Sequence, residues 1–360
     1  MANDANRNQM GDKPAAVGEV RPFRPSLIDR FDDRVRRLPT NAWIFFAVFG
    51  LVLIGVQLLF LWLEGGLEEA DLLPIIIYNG LFTPYLLALI HLLDNRALSA
   101  LSSMRSALDA TEPELEAYEY RLSTMPSPLP LVVGLVMVAL VILMERLSTT
   151  PVRYAALDQF RAFAVVFQIV DKSSAFLFGV LIVHTVRQLR LVNEIHAKHV
   201  CVNLFDRGPL QAFSTLTAST AVGLLVGVYG WMLINPDLWT DPVIFGFIAI
   251  VTVLAVSVFV WPLLGVHRRM ERAKEGALHE IDRRFDVIFS RFNERIDAAE
   301  YAAIEALNGT IASLEIQRER ISAISTWPWR PETVRFVLAA IALPLALEVV
   351  LFFVGRALGS

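Results

Sequence analysis

Long apolar runs separated by charged segments dominate this sequence. Residues 42–63 contain no charged side chain over the roughly 20 positions that a helix needs to cross about 30 Å of hydrocarbon. The pattern predicts an all-α, polytopic helical membrane protein with about seven transmembrane helices. Comparable apolar runs occupy residues 72–93, 128–144, about 173–186, 213–234, 242–266 and 334–355.

The polar segments between these runs divide the chain further. Residues 1–41 are polar and predict a disordered cytoplasmic tail, and the depth of the first apolar run predicts an uncleaved anchor. Spans one and two fill 42–93, where Pro84 predicts a kink in the second. Residues 94–127 predict one cytoplasmic amphipathic juxtamembrane helix. Within 128–266, which holds spans three to six, the short apolar segment 151–172 predicts an interfacial or re-entrant helix.

Residues 267–325 predict a cytoplasmic helical hairpin. Apolar residues recur there in steps of three and four with charges between them, the pattern of an amphipathic helix. Both ends of the segment must lie at one membrane face, so an unbroken helix is excluded. Asp297 and Glu300 lie near the midpoint and predict a turn between two antiparallel coiled-coil arms. The predicted stripe is Leu278, Ile281, Phe285, Ile288, Phe292 and Ile296, facing Ile304, Leu307, Ile311, Leu314, Ile321 and Ile324.

The distribution of positive charge predicts the orientation. With the N-terminus inside the cell, 27 of the 32 Lys and Arg residues fall on the cytoplasmic side. An eighth span at 151–172 would invert the strongly basic segment that follows, so the charge distribution disfavours it. We therefore expect a multi-pass protein of the cell (plasma) membrane, with a cytoplasmic N-terminus and an extracytoplasmic C-terminus.

Composition agrees with a protein that is dissolved in lipid. The chain is 55% hydrophobic and 19% charged, with a mean hydropathy of +0.52, which is too apolar for a soluble domain. The net charge of −4 gives no indication of a nucleic-acid partner. The sequence contains no phosphate-binding loop, nucleophile elbow or zinc-protease motif, so we expect no enzymatic activity.

The segment 326–360 combines an interfacial motif with the last predicted span. Trp327, Trp329 and Arg330 stand between prolines where the chain re-enters lipid, which predicts an interfacial anchor, with a docking surface as the alternative. TWPWRPETVRF after the charged hairpin, together with HAKHVCVNLFDRGPLQAFS, is similar to a group of uncharacterised bacterial multi-pass membrane proteins with a cytoplasmic coiled coil. That resemblance extends over about residues 173–355 and implies the same topology, but no activity.

Histidine and cysteine side chains give weak indications of metal or haem binding. His196, His199 and Cys201 are ligand types that suit zinc or copper, but no second cluster completes a site, which favours a solvated helix. His91 and His184 lie near the cytoplasmic ends of two spans and would allow bis-histidine haem ligation, although lone interface histidines are commoner. We predict neither a bound metal nor a cofactor.

Ionisable residues at membrane depth are the stronger functional candidates. Asp171 and Lys172 lie at the outer edge of span four, and Glu348 lies inside span seven. Such groups are costly in lipid unless they are paired or hydrated. The simpler structural interpretations are an interfacial ion pair for Asp171 and Lys172, and, for Glu348, a side chain that extends to the membrane surface.

Span five carries a stripe of small residues, Gly223, Gly227 and Gly230. Close helix packing explains this spacing, and a pore lining is the alternative.

Two functional hypotheses follow from these patterns. The first is a membrane scaffold or signalling protein whose segment 267–325 binds a cytoplasmic protein or a second copy of the chain. The second is an ion channel or small-solute transporter, supported by Glu348 and by the proline-interrupted spans. In both, the lipid bilayer is the constant partner.

The predicted orientation can be tested by cysteine labelling in cells. The native Cys201 should react with a membrane-impermeant maleimide only after the cells are opened, whereas Asp237→Cys should react in intact cells. The reverse labelling pattern would show that the orientation is wrong.

Overall fold

The computed structural model describes residues 22–69, 72–105, 108–148, 159–199, 208–234, 241–297, 301–327, 332 and 334–342. This part of the chain is all-helical. Its helices are α1 Leu27–Arg36, α2 Ala42–Leu63, α3 Leu73–Met104, α4 Glu112–Ser123, α5 Pro128–Leu147, α6 Arg161–Lys198, α7 Gly208–Ile234, α8 Pro242–Asp297 and α9 Tyr301–Ser322.

Six of the described helices, α2, α3, α5, α6, α7 and α8, are long and apolar enough to cross a membrane. They correspond to the first six predicted spans. The seventh, 334–355, is helical over 334–342 and lies outside the described residues beyond that point. Seven spans therefore remain a prediction, whereas an all-helical chain with several membrane-spanning candidates is confirmed.

Helices α3 and α6 form the centre of the bundle. Burial covers 61% of the most apolar part of α3, 56% of that of α7 and 50% of that of α6, but only 11% of that of α5. Helix α3 packs against α2, α6 and α7, while α6 also packs against α5 and α8. Side chains of α5 are therefore left for lipid, which agrees with its exposed leucines and valines.

A polar contact inside the bundle joins three of these helices. Asn79 Nδ2 of α3 donates to Gln57 Oε1 of α2 at 3.0 Å and to the Phe167 carbonyl of α6 at 3.2 Å. Gln57 is wholly buried. Because buried amides in an apolar interior must find partners, this contact fixes how the three helices are rotated.

Helices α2 and α3 approach each other closely at Gly80. A Cβ atom added there would lie 2.5 Å from Ile54 Cγ1 and 3.0 Å from the Ile54 backbone nitrogen. The chain therefore needs glycine at this crossing, four residues before Pro84, through which α3 continues.

Part of the N-terminal segment, which was predicted to be disordered, is helical in the structure. Residues 27–36 form α1, whose N-cap Ser26 makes a reciprocal capping box with Asp29. The preceding chain is held as well, since Ser26 N donates to the Met125 carbonyl at 3.0 Å and Tyr120 donates to the Phe23 carbonyl at 2.8 Å. A disordered tail is thus wrong for this stretch, while 1–21 lie outside the described residues.

The single juxtamembrane helix predicted over 94–127 is also wrong. Helix α3 continues to Met104, and a separate helix, α4, begins at Glu112 after a capping box between Thr111 and Glu114. In the connection, Asp109 N donates to the His199 carbonyl at the end of α6. The new cap and this long-range contact stabilise a break that the amphipathic pattern does not reveal.

Helix α6 begins earlier than the predicted span four. It runs without interruption from Arg161, so 161–172 and the predicted span belong to one helix, although the interfacial position of 151–172 stays a prediction. The Glu64 carboxylate, just after α2, accepts the backbone N–H groups of Ala162 and Phe163 at 3.0 Å each. These hydrogen bonds lower the pKa of Glu64, because they stabilise its charge at a helix N-terminus.

Helix α9 runs back along the distal part of α8. Arg318 pairs with Asp282 at 3.0 Å, and Lys274 Nζ donates to the carbonyls of Ser322 and Ile324. These contacts make the two segments antiparallel. Helix α8 ends at Asp297, as the predicted turn requires, and 298–300 lie outside the described residues.

Candidate functional site

A mostly buried chain of ionisable side chains, in which His or Arg alternates with Asp, lies between α1, α3 and α6. Its members, here called the charge chain, are His184, Asp94, Arg36, Asp32 and His91. Successive polar atoms are 3.2, 3.9, 2.6 and 2.7 Å apart. Four of the five residues are buried, whereas the Arg36 side chain is 31% exposed. Each of the two aspartates thus lies between two nitrogen-bearing side chains, which offset the cost of burying a carboxylate.

The end of the charge chain between α3 and α6 is the most deeply buried. Asp94 and His184 are each only 2% exposed, and Asp94 Oδ1 lies 3.2 Å from His184 Nε2 without hydrogen-bond geometry. One turn further along α6, Gln188 Nε2 donates to the carbonyl of Leu122 at 3.2 Å. These polar groups connect this end of the central helices to the last turn of α4.

The other end of the charge chain ties α1 to the bundle. Burial alone would raise the pKa of Asp32, but hydrogen bonds from His91 and Arg36 together with their charges outweigh it and hold that pKa below its ordinary value. In contrast, burial raises the pKa of Asp29, against the hydrogen bonds from the Met125 and Ser26 amides. Asp32 is therefore the carboxylate in α1 whose ionised form is stabilised by folding.

A cavity of about 170 Å³ lies between α3, α5, α6, α7 and α8. Its rings come from four helices, namely Tyr78, Phe82, Phe178, Trp231 and Phe247. Polar groups of Asn79, Glu145, Ser148, Asp171 and Ser174 also line it. The cavity is thus mostly apolar with a few convergent polar groups, the usual character of a small-molecule site.

An ion-pair triad stands at this cavity. Lys172 Nζ donates to Asp171 Oδ2 at 2.8 Å and to Glu145 Oε1. All three side chains are partly exposed. The structure therefore brings the predicted membrane-depth pair together with a second carboxylate, from α5, that the sequence did not single out.

The weak metal candidates are placed only in part. His199 Nδ1 contacts the Asp109 carbonyl at 2.7 Å, and Nε2 contacts the Tyr118 hydroxyl at 3.1 Å. Both ring nitrogens are therefore engaged within the fold. The side chain of His196 and all of Cys201 lie outside the described residues, and no metal-binding group of three or more His, Cys, Asp or Glu is present among those that are described.

The two histidines that suggested haem ligation both contact carboxylates. His91 Nδ1 lies 2.7 Å from Asp32 Oδ1, and His184 Nε2 lies 3.2 Å from Asp94 Oδ1. One nitrogen of each ring is therefore engaged within the charge chain.

Trp327, the described member of the predicted interfacial motif, lies against α8 at His267. The ring of Trp327 stacks on that of His267 with centroids 3.8 Å apart, and His267 Nδ1 contacts the Thr326 carbonyl at 3.2 Å. The chain after α9 is thereby attached to α8. Trp329, Arg330 and Glu348 lie outside the described residues.

The three glycines of α7 face aromatic and leucine side chains of α3. A Cβ atom at Gly223 would lie 2.6 Å from Leu89 Cδ1. Tyr85 donates to the Gly223 carbonyl at 2.7 Å and Tyr78 to the Gly227 carbonyl at 2.5 Å, while Gly230 faces the ring of Tyr78. Close packing accounts for the stripe.

Sequence reasoning missed four members of these sites: Asp32, Arg36, Asp94 and Glu145. Asp32 and Arg36 stood in a segment assigned to disorder, although Ser26 and Asp29 have the spacing of a capping box. Asp94 and Glu145 each follow directly after an apolar run, where a charged residue usually indicates only that the span has ended. A search for charges within one turn of a span end would have found the last two.

No family model, curated protein or solved structure matches the chain.

Asp32→Ala tests whether the charge chain holds α1. We expect it to lower the free energy of unfolding by about 3 kcal/mol, because it leaves His91 and Arg36 without their shared carboxylate. Unfolding in mixed detergent micelles measures this, with exposed Asp33→Ala as the matched control. Equal losses in the two variants would contradict the assignment.

The same pair of proteins should differ in pH dependence. The folded pKa of Asp32 lies below its ordinary value of 3.8, so its stabilisation is complete above that value and is lost as the pH falls through the folded pKa. The stability difference between the wild type and Asp32→Ala should therefore narrow below about pH 4.

Proposed function

We propose that this protein is a membrane-embedded signalling or scaffold protein that acts through its cytoplasmic helical hairpin. The observation that carries the proposal is that α8 is one uninterrupted helix of 56 residues. Its beginning belongs to the membrane bundle and its end belongs to the arm that packs with α9. A tilt or rotation of the first part must therefore move the second.

The first part of α8 is packed within the bundle, where it lines the cavity. Ile244, Phe247 and Ile248 line the cavity, and Val251 and Ala255 are buried in the following turns. Helices α5, α6 and α7 all pack against α8. A molecule bound in the cavity, or a change in bilayer thickness, would act directly on this end.

The distal part of α8 offers a surface for a protein partner. Val287 and Phe289 on α8 and Ile316 on α9 remain about half exposed. Ile296 is 48% exposed as well, so its predicted place in the buried stripe is wrong. Exposed apolar side chains on a charged helix favour contact with another protein, either a cytoplasmic partner or a second copy of this chain.

The orientation and the coiled coil are parts of the same proposal. The excess of Lys and Arg supports a cytoplasmic hairpin and N-terminus, an extracytoplasmic C-terminus and the plasma membrane as the location. Burial of Ile281 and Leu314, at 4% and 5% exposure, supports the predicted apolar stripe of an antiparallel coiled coil. The resemblance to bacterial membrane proteins of this topology agrees with both.

Transport or ion conduction is the second candidate function. It is favoured by the cavity and by the partly exposed triad of Glu145, Asp171 and Lys172 among the membrane helices. Solute or ion flux into proteoliposomes that is lost in Asp171→Asn would support this function. Absence of flux with a panel of inorganic ions and organic cations would favour the signalling function.

A spin-label experiment tests whether α8 transmits movement. Cysteines at Glu112 and Glu294, both exposed, report the position of the arm in full-length protein with Cys201→Ser. Ala255 is wholly buried, so Ala255→Phe should displace α8. Position 294 lies about 58 Å further along the helix, and a tilt of about 5° moves it by about 5 Å. Pulsed electron spin resonance should therefore report a shifted distance.

Val253→Phe is the matched control, because Val253 is 65% exposed and a larger side chain there displaces nothing. Ala255→Val replaces the larger substitution if Ala255→Phe does not fold. Identical distances in the folded Ala255 and Val253 variants would show that the arm moves independently of the bundle.

A further inference from the structure

We propose that the cavity between α3, α5, α6, α7 and α8 is a binding site for an organic cation with an apolar body, such as an arylalkylammonium compound. The proposal goes beyond the function of the hairpin, because it concerns binding alone and would hold if the arm had no partner.

The charges at the cavity are unequal. Glu145 and Asp171 both line it, and one ammonium group, that of Lys172, contacts both carboxylates. The triad therefore keeps a net charge of −1 in its ionised form. A third carboxylate is close, since Ser148, which lines the cavity, donates to Asp241. A cation is the species that completes this balance, whereas an anion would be repelled.

Asp241 has other support and does not need the cation. It is wholly buried and caps α8, accepting the backbone N–H groups of Val243 at 2.9 Å and Ile244 at 3.3 Å. Its charge is stabilised by the helix N-terminus. The unequal charge is thus concentrated on Glu145 and Asp171.

The remaining lining suits the body of such a cation. Five aromatic rings line the cavity, including Trp231 and Tyr78, and the faces of such rings attract ammonium groups within about 6 Å. Met137, Val141 and Ile248 supply apolar contact. A cavity of about 170 Å³ is of the size that holds a single aromatic ring, so the ammonium group would lie at the partly exposed triad.

Lys172 has a defined role in this proposal. Its ammonium group already occupies the space between the two carboxylates, so it competes with the ligand. Removing the ammonium should therefore strengthen binding, and removing one carboxylate should weaken it. These opposite signs distinguish a binding site from an ion pair that only stabilises the bundle.

The test uses full-length protein in lipid nanodiscs and isothermal titration with benzyltrimethylammonium. Saturable binding is expected, with affinity lowered about tenfold in Glu145→Gln and raised about threefold or more in Lys172→Met. Glu112→Gln, an exposed carboxylate on α4 that pairs with Arg105, is the control and should bind like the wild type. Neopentylbenzene, the uncharged analogue of the same shape, should bind at least about tenfold more weakly.

A cavity-filling variant tests the site even if the charge variants do not fold. Val141→Trp adds no charge and should abolish binding while the protein keeps its thermal midpoint. Binding that survives Val141→Trp would place the site elsewhere. Equal affinity for neopentylbenzene would mean an apolar pocket that holds lipid or other neutral molecules. Affinity that changes in the same direction in Glu145→Gln and Lys172→Met would overturn the proposal in favour of a structural ion pair.

Discussion

The length of α8 is the constraint on which the arrangement of the whole molecule depends. Its 56 residues span about 84 Å, whereas the hydrocarbon core of a bilayer is about 30 Å thick. More than half of the helix must therefore leave the apolar layer. The part that leaves is charged along most of its surface and lies against α9, while the part that stays is packed by α5, α6 and α7. A single rigid element thus belongs to both environments.

Polar contacts supply the specificity that lipid cannot. Apolar side chains gain little from moving between lipid and a neighbouring helix, so buried hydrogen bonds and close packing decide how membrane helices associate. Here, Asn79 links three helices, and the charge chain connects two of them to α1 through Asp32. Helix α1 is therefore a component of the bundle. Without it, His91 would lose its contact with Asp32, and Asp94 would lose its contact with Arg36.

The sequence predicts the apolar helices well because crossing lipid leaves a local signature of about 20 uncharged residues. The start of a helix is harder to predict where the residue that caps it is distant in the sequence. Phe160 gives α6 no side-chain cap, and the carboxylate that does so, Glu64, lies almost 100 residues earlier. Dependence on distant residues also explains why α1 was not predicted, since its burial depends on His91. The cavity triad was not predicted either, because its third member comes from α5. The end of α8 at Asp297 was predictable, since it follows from geometry rather than from a side-chain partner.

The distance between the two hairpin arms tests the central claim most directly. Spin labels at Asp286 and Ala312, solvent-facing positions beside Phe285 and Ile311, should lie about 10–20 Å apart in full-length protein with Cys201→Ser, since packed helix axes are about 8–10 Å apart. Such a distance means that α9 closes on α8 and that the arm moves as one body. A distance beyond about 35 Å would mean that the arms diverge, and α8 would then have no stiffening partner within the chain.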